Sequence, residues 1–278
     1  MMKLGIFSAP VFAMARQENI SAAEAFSFAA QQGLTEIEAS SGDFARCGGA
    51  AAFAATLREA GVRLFAAHFL CHIASPDDAL SLGAAQEALE VARQIAEAGG
   101  SRLMLVPAMP EDIADEADKS RALERIVERT AWLCGETEKL GVRVCCENFS
   151  RPLYPFCTPA ELLTLRERLP GLGITFDSGN FRCHALDMPD AYEQLKNVID
   201  FCHVKDWAVS DDGFPTADGK HVNGTVMGRG VVPLCDWFFR LRTEGRDFPM
   251  ILEPDGTMEQ ISVRERIEGC AAFVRAHL

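Results

Sequence analysis

Apolar and polar positions alternate along this chain on two length scales. Short runs rich in β-branched and other apolar residues, each closing on polar side chains, fall near residues 3–8, 34–39, 62–69, 102–106, 142–148, 172–177, 198–205 and 248–253. Their brevity and composition predict buried strands. Between them lie Ala- and Leu-rich stretches near 21–32, 45–60, 78–98, 118–140, 158–169, 189–196, 232–244 and 259–277. There the apolar residues recur three or four apart, which predicts helices. The third helix shows the pattern in full. Ser75 offers a capping hydroxyl ahead of Pro76 at the first helical position, and Asp77 and Asp78 sit at the positive end of the helix dipole. Leu82, Ala85, Leu89, Ala92 and Ile95 draw one apolar face, and Gly99-Gly100 stops the helix. Gly33, Gly61 and Gly141 mark the same stop before three other strands.

Eight strand–helix units of roughly 35 residues each predict a (β/α)8 TIM barrel, one domain spanning residues 1–278. The rival is an open doubly wound sheet, which would normally carry a glycine-rich turn after its first strand. Ser8-Ala9-Pro10-Val11-Phe12 has no glycine.

Composition narrows the partners. Hydrophobic residues make up 48% and charged residues 24%, a globular balance. The net charge of −13 argues against a broad grip on nucleic acid or an anionic membrane. No apolar run approaches the ~20 residues of a membrane span, and the first residues do not read as a signal peptide. Ten cysteines are scattered with no CxxC pair, which predicts buried free thiols in a reducing cytoplasm.

In a barrel of this kind chemistry gathers where strands end. Strand five ends Cys145-Cys146-Glu147-Asn148, and strand six Phe176-Asp177-Ser178-Gly179-Asn180. Strand seven carries His203-Val204-Lys205-Asp206 and strand eight Leu252-Glu253-Pro254. Four consecutive strands thus each offer one metal-competent group: Glu147, Asp177, His203 and Glu253. Residues two apart on a strand share a face, so Cys145, Thr175, Phe201 and Ile251 fall behind them as an interior layer. Three carboxylates and an imidazole at one rim repel one another without a cation. An oxygen-rich set with one histidine suits a single divalent ion: Mn, Mg, Co or Zn.

These motifs, together with Gly228-Arg229-Gly230, resemble the xylose isomerase-like barrel family of sugar (phosphate) isomerases and epimerases. The resemblance implies that Glu147, Asp177, His203 and Glu253 bind the metal. In the ketose 3-epimerase branch it implies that the two glutamates also exchange the substrate proton. The chain departs from that branch at Asn180, where those epimerases carry a histidine that helps hold the substrate. The expected chemistry is proton removal beside a metal-polarised carbonyl, through a metal-bound enediolate. Returning the proton to the neighbouring carbon isomerises; returning it from the opposite face epimerises. The expected substrate is a small sugar, a polyol-derived ketone or a hydroxy-keto acid, and barrels of this family often form homo-oligomers.

Other residues are candidates for substrate contact: His68 at the end of strand three, Glu38 near the end of strand two, Asn180, Lys205 and Arg229. Glu38 also fits a supporting role behind the metal, Lys205 could neutralise the acidic rim, and Asp206 could orient Lys205 or a loop backbone. His184 and His221 read as exposed loop residues, and Phe12, Phe181 and Trp207 as pocket walls or packing. The stretch from Trp207 to Val231 is long for a strand–helix connection and reads as a lid loop over the metal. Three alternatives to an isomerase stand beside this reading. A dehydratase would begin with the same proton abstraction, a phosphodiesterase would need more histidines and a basic groove, and a degenerate barrel would bind ligand without turnover.

Overall fold

The computed structural model describes residues 3–108, 116–151, 154, 156–254 and 260–278. Eight strands close into a barrel: β1 Leu4–Phe7, β2 Glu36–Ser40, β3 Arg63–Cys71, β4 Arg102–Pro107, β5 Arg143–Glu147, β6 Gly173–Asp177, β7 Ile199–Val204 and β11 Met250–Leu252. Every neighbouring pair is parallel, β11 closing the ring between β7 and β1. All carboxyl ends therefore face one way. Eleven helices are described: α1 Ser8–Glu18, α2 Ala22–Gln31, α3 Ser41–Arg46, α4 Ala50–Glu59, α5 Asp78–Glu97, α6 Glu116–Glu138, α7 Pro159–Arg168, α8 Asn180–Cys183, α9 Met188–Leu195, α10 Leu234–Glu244 and α11 Val263–His277. The expected single-domain (β/α)8 architecture is what the chain adopts.

The eight expected strands are all present, shifted by one or two residues at most of their ends. The helices differ in more informative ways. Helix α1 was not expected; it begins directly after β1, and its Pro10 is tolerated because the first helical turn has no backbone acceptor for that N–H. The helix expected over 45–60 is two, α3 and α4, separated at Gly48-Gly49, both with positive φ. In α5 the cap is Asp77, whose carboxylate accepts the N–H groups of Ala79 and Leu80, while the Ser75 hydroxyl accepts from Asp77 N in the turn that leads into the cap. The buried stripe of α5 runs through Ala84, Ala88 and Val91 as well as Ala85, Ala92 and Ile95; Leu82, expected in it, is exposed.

Inside the barrel, Cys145, Thr175, Phe201 and Ile251 are wholly buried, as the strand parity required. The amino end is closed by ion pairs. Asp200 accepts from Arg102 Nε and Arg143 Nη1, each at 2.9 Å, and Arg63 grips Glu36. A buried carboxylate with two guanidinium partners keeps this end rigid while the carboxyl end is left for chemistry.

The expected lid loop is instead a small antiparallel sheet. Strands β8 Asp206–Ser210, β9 Phe214–Pro215 and β10 His221–Thr225 pair in the order β8-β10-β9. Short runs such as Trp207-Ala208-Val209 and His221-Val222-Asn223 satisfy each other's main chain, which a free loop of this length could not do. Arg182 to Asp218 (3.0 Å) and Ala217 N to Cys183 O (2.9 Å) fasten it to α8.

Candidate active site

Glu147 is the last residue of β5, Asp177 the last of β6, His203 the penultimate residue of β7, and Glu253 follows β11. The register sets Asp177 opposite His203 and Glu147 opposite Thr175. One donor atom from each of Glu147, Asp177 and His203 lies within 4.8 Å of the others. Glu253 lies outside that trio. Its Oε2 is 2.7 Å from Lys205 Nζ, and the same ammonium is 3.1 Å from Asp177 Oδ2.

Each member is held by its surroundings. Asp177 Oδ1 accepts the N–H groups of Gly179 and Asn180 at 2.8 and 2.9 Å. Its backbone is clamped by Asn148, whose amide donates to Asp177 O and accepts from Asp177 N. Asn180 Nδ2 donates to Asn148 O at 2.9 Å, which fixes the amide's orientation and leaves Asn180 Oδ1 buried with no hydrogen bond. His203 lies between two carboxylates, Nδ1 2.8 Å from Glu147 Oε2 and Nε2 2.9 Å from Glu38 Oε2. The other oxygen of Glu38 is 3.4 Å from His68 Nδ1. Phe7 packs against both imidazoles, at ring distances of 4.9 and 5.3 Å.

Burial and charge compete here. Burial opposes ionisation of Glu38, but His203 and His68 outweigh it and hold the carboxyl at about 2. Burial likewise opposes charge on His203, yet Glu38 and Glu147 on its two ring nitrogens push its pKa well above the ordinary imidazole range. For Asp177, burial prevails and raises the carboxyl, against the pull of Lys205.

A cavity of about 270 Å³ opens above these groups. Glu147, His203, Glu253 and His68 line its polar side; Phe7, Met104, Val106 and Pro254 are among its apolar walls. Of the expected substrate contacts, His68 faces this space directly. Glu38 is fully buried behind His203, Asn180 is buried and bonded to Asn148, and Lys205 is buried against Asp177 and Glu253. Arg229 is exposed on the loop before α10 and is not among the cavity's lining residues.

That loop belongs to Asp206. Its Oδ1 accepts from Trp207 N and Val232 N and its Oδ2 from Gly228 N and Gly230 N, at 2.9–3.1 Å. The approach is close enough that a Cβ on Gly230 would come within 2.2 Å of the carboxylate. Asp206 thus orients a loop backbone, the second of its two expected roles. His184 and His221 are half-buried rather than exposed, His184 Nε2 lying 2.7 Å from Phe149 O. Phe12 and Phe181 are core residues, packed on Phe26 and Phe176. Sequence reasoning missed the apolar wall of Phe7, Met104 and Val106. Their position at strand ends was the available signal, but short apolar residues there look like ordinary core.

Residues and centre suit a divalent cation. Asp177 Oδ2 is buried and receives no directed hydrogen bond, and one oxygen of the Asp177 carboxylate lies within 4.8 Å of donor atoms of Glu147 and His203. Oxygen and nitrogen donors of this kind fit Mn, Mg, Co or Zn. Glu38 on Nε2 of His203 leaves Nδ1 as the nitrogen that would be open to a cation, the arrangement by which a carboxylate supports a histidine ligand.

Fold and site together define a closed parallel barrel with a candidate metal centre on its carboxyl rim. A family model described as Xylose isomerase-like TIM barrel matches residues 22–270, and the chain belongs to that family. Solved structures share the fold over nearly the whole chain. D-Psicose 3-epimerase from Clostridium cellulolyticum H10, crystallised with D-tagatose, superposes with a TM-score of 0.77 at 16% identity, covering 100% of this chain and 99% of its own. The probable 3-DHS dehydratase AsbF of Bacillus anthracis gives 0.76 at 16%, covering 99% of each. The zinc-bound IolI protein gives 0.76 at 17%, covering 99% of this chain and 97% of its own. Among curated proteins the sequence finds no significant match. No described helix is long and apolar enough to cross a membrane.

Proposed function

We propose that the protein is a divalent-metal-dependent isomerase or epimerase of a small sugar, a polyol-derived ketone or a hydroxy-keto acid. The observation that carries this reading is that Glu147, His203 and Glu253 open on one small cavity beside a carboxylate–imidazole trio. Glu147, Asp177 and His203, with Glu253 as fourth candidate, would hold the cation, which would supply the charge that polarises a substrate carbonyl and stabilises the anion left by proton loss.

The chain's own groups do the rest. Glu147 and Glu253 stand on strands separated in the ring by β6 and β7, so they approach a substrate from different sides. One carboxylate accepts the proton from carbon; return by the other inverts that centre, and return to the neighbouring carbon moves the carbonyl. Glu38 holds the imidazole, and Phe7, Met104 and Val106 keep water from the anion. The psicose epimerase likeness favours a ketose. The dehydratase likeness supports a second reading, the same abstraction followed by loss of a β-hydroxyl, which lowers product mass by one water.

The test is turnover of a ketose panel in deuterated solvent with metal-loaded protein, read by NMR and mass spectrometry. Deuterium should enter at the reacting carbon. Glu147→Gln and Glu253→Gln should lose roughly 10²–10⁴-fold even at saturating metal, because a base is missing, whereas excess metal should largely rescue His203→Asn. Full recovery of both Gln variants with metal would remove the glutamates from proton transfer.

A further inference from the structure

Lys205 is built into the centre more firmly than a solvated rim lysine. Its backbone is clamped by Ser178, whose Oγ accepts from Lys205 N and donates to Lys205 O, both at 3.1 Å. Its stem crosses Gly179, where a Cβ would come within 2.3 Å of Lys205 Cγ and 2.7 Å of Trp207 Nε1. Only glycine leaves this channel open. At its end the ammonium is 2.7 Å from Glu253 Oε2, 3.1 Å from Asp177 Oδ2 and 5.7 Å from the centre of the Trp207 ring. Two of the groups beside it are thus two of the four expected metal ligands, and Glu253 is the one outside the compact trio.

The two contacts are unequal. The ammonium is close to Glu253, while Asp177 Oδ2 has it as a neighbour without a directed hydrogen bond. A buried carboxylate with an ill-directed cation beside it is a group that a better-placed cation can take over. The local charge allows it. Among the described residues, the carboxylates of Glu38, Glu147, Asp177 and Glu253 meet His203, His68 and Lys205, so the cluster stays negative even with all three protonated.

We infer that Lys205 is an internal cation that competes with the divalent metal for Asp177 and Glu253, and so sets how tightly the centre binds it. This rests on the metal reading of the site. The ammonium keeps the carboxylates neutralised before loading, and loading requires it to yield them. A lysine serving only as scaffold would have the opposite signature, since its removal would loosen the ligands and weaken binding.

The experiment is calorimetric titration of Mn²⁺ into chelator-stripped full-length protein, with circular dichroism to verify folding. Lys205→Met keeps the stem and removes the charge; it should bind Mn²⁺ about tenfold or more tightly, as one like charge a few ångströms away is worth well over 1 kcal/mol even at high effective dielectric. Lys205→Arg, which keeps the charge, should not show that gain. Gly179→Ala is the second variant. Its backbone angles (φ −90°, ψ −32°) accept alanine, and the new methyl displaces the lysine stem and shifts the Trp207 indole while substituting none of the proposed ligands. It should also tighten binding, and it decides the matter if Lys205→Met fails to fold. Unchanged or weaker Mn²⁺ binding in the folded variant overturns the competition. A wild-type protein that binds no metal overturns the metal reading itself, so the two failures are distinct.

Discussion

Asp206→Asn is a sharp test of how the approach to the site is organised. The carboxylate accepts four main-chain N–H groups, two on each oxygen, and thereby ties β8 to residues 228–232. Asparagine has the same shape but offers an acceptor to only one pair. The other pair meets an NH₂ group, so two N–H groups, at least one of them only partly buried, lose their partner and face a donor. A hydrogen bond to a charged group contributes roughly 1.5–3 kcal/mol, which puts the loss near 3–6 kcal/mol. Burial pushes the Asp206 carboxyl up despite its four donors, so part of that gain is already offset by desolvation, and about 3 kcal/mol is the better figure. Against a total stability of about 5–15 kcal/mol this is a large fraction. At roughly 2 °C per kcal/mol for a chain of this size, Tm should fall by about 6 °C. Hydrogen exchange supplies the local readout. Depending on which oxygen is replaced by the NH₂ group, the amides of Gly228 and Gly230 or that of Val232 should lose protection, while those of α5, on the far side of the barrel, keep theirs. A Tm within about 1 °C of wild type with protection retained at all three amides would refute the reasoning.

Two further outcomes are expected. Glu38→Gln should weaken Mn²⁺ binding by about 10–100-fold without altering far-ultraviolet circular dichroism, because Glu38 orients the His203 ring but lies outside the trio; unchanged affinity in titration calorimetry would contradict it. Of the ten cysteines, all free, only Cys235 is exposed, and Cys47 and Cys134 are half-buried. Burial pushes the Cys134 thiol up to about 11 and those of Cys71, Cys157 and Cys183 to about 12. Since the thiolate is the reactive form, a disulfide reagent at pH 8 should titrate Cys235 quickly and the two half-buried thiols slowly, with all ten reacting only after unfolding. More than three thiols reacting rapidly in native protein would be inconsistent with this packing.

The barrel was legible because each of its strands is a short apolar run ending in polar residues, and each stripe of helix has a 3.6-residue period. What was not legible depended on contacts between elements. Helix α1 hides behind Pro10 and an unbroken apolar run, and the break between α3 and α4 rests on two glycines that also fit a continuous alanine-rich helix. In the small sheet, β9 Phe214–Pro215 is only two residues long and β10 His221–Thr225 carries a single large apolar residue, Val222, so the segment does not stand out from a loop. At the site, the four strand-end groups could be named in advance because their positions follow from strand parity. The particular partners of Glu38 (His203) and of Lys205 (Asp177 and Glu253) could not, since these contacts join side chains 165, 28 and 48 positions apart across strand ends. The cap of α5 shows the same limit locally. Ser75, Pro76 and Asp77 all carry N-terminal signals, and the hydrogen bonds choose Asp77.

The central claim is that Glu147, Asp177 and His203 form a metal centre at the carboxyl end of the barrel. Anomalous diffraction from crystals of the full chain grown with Mn²⁺ or Co²⁺ tests it most directly. The account predicts one strong anomalous peak per chain, within coordination distance of donor atoms from all three residues. A map with no peak there, or with its strongest protein-bound peak at other residues, would contradict it.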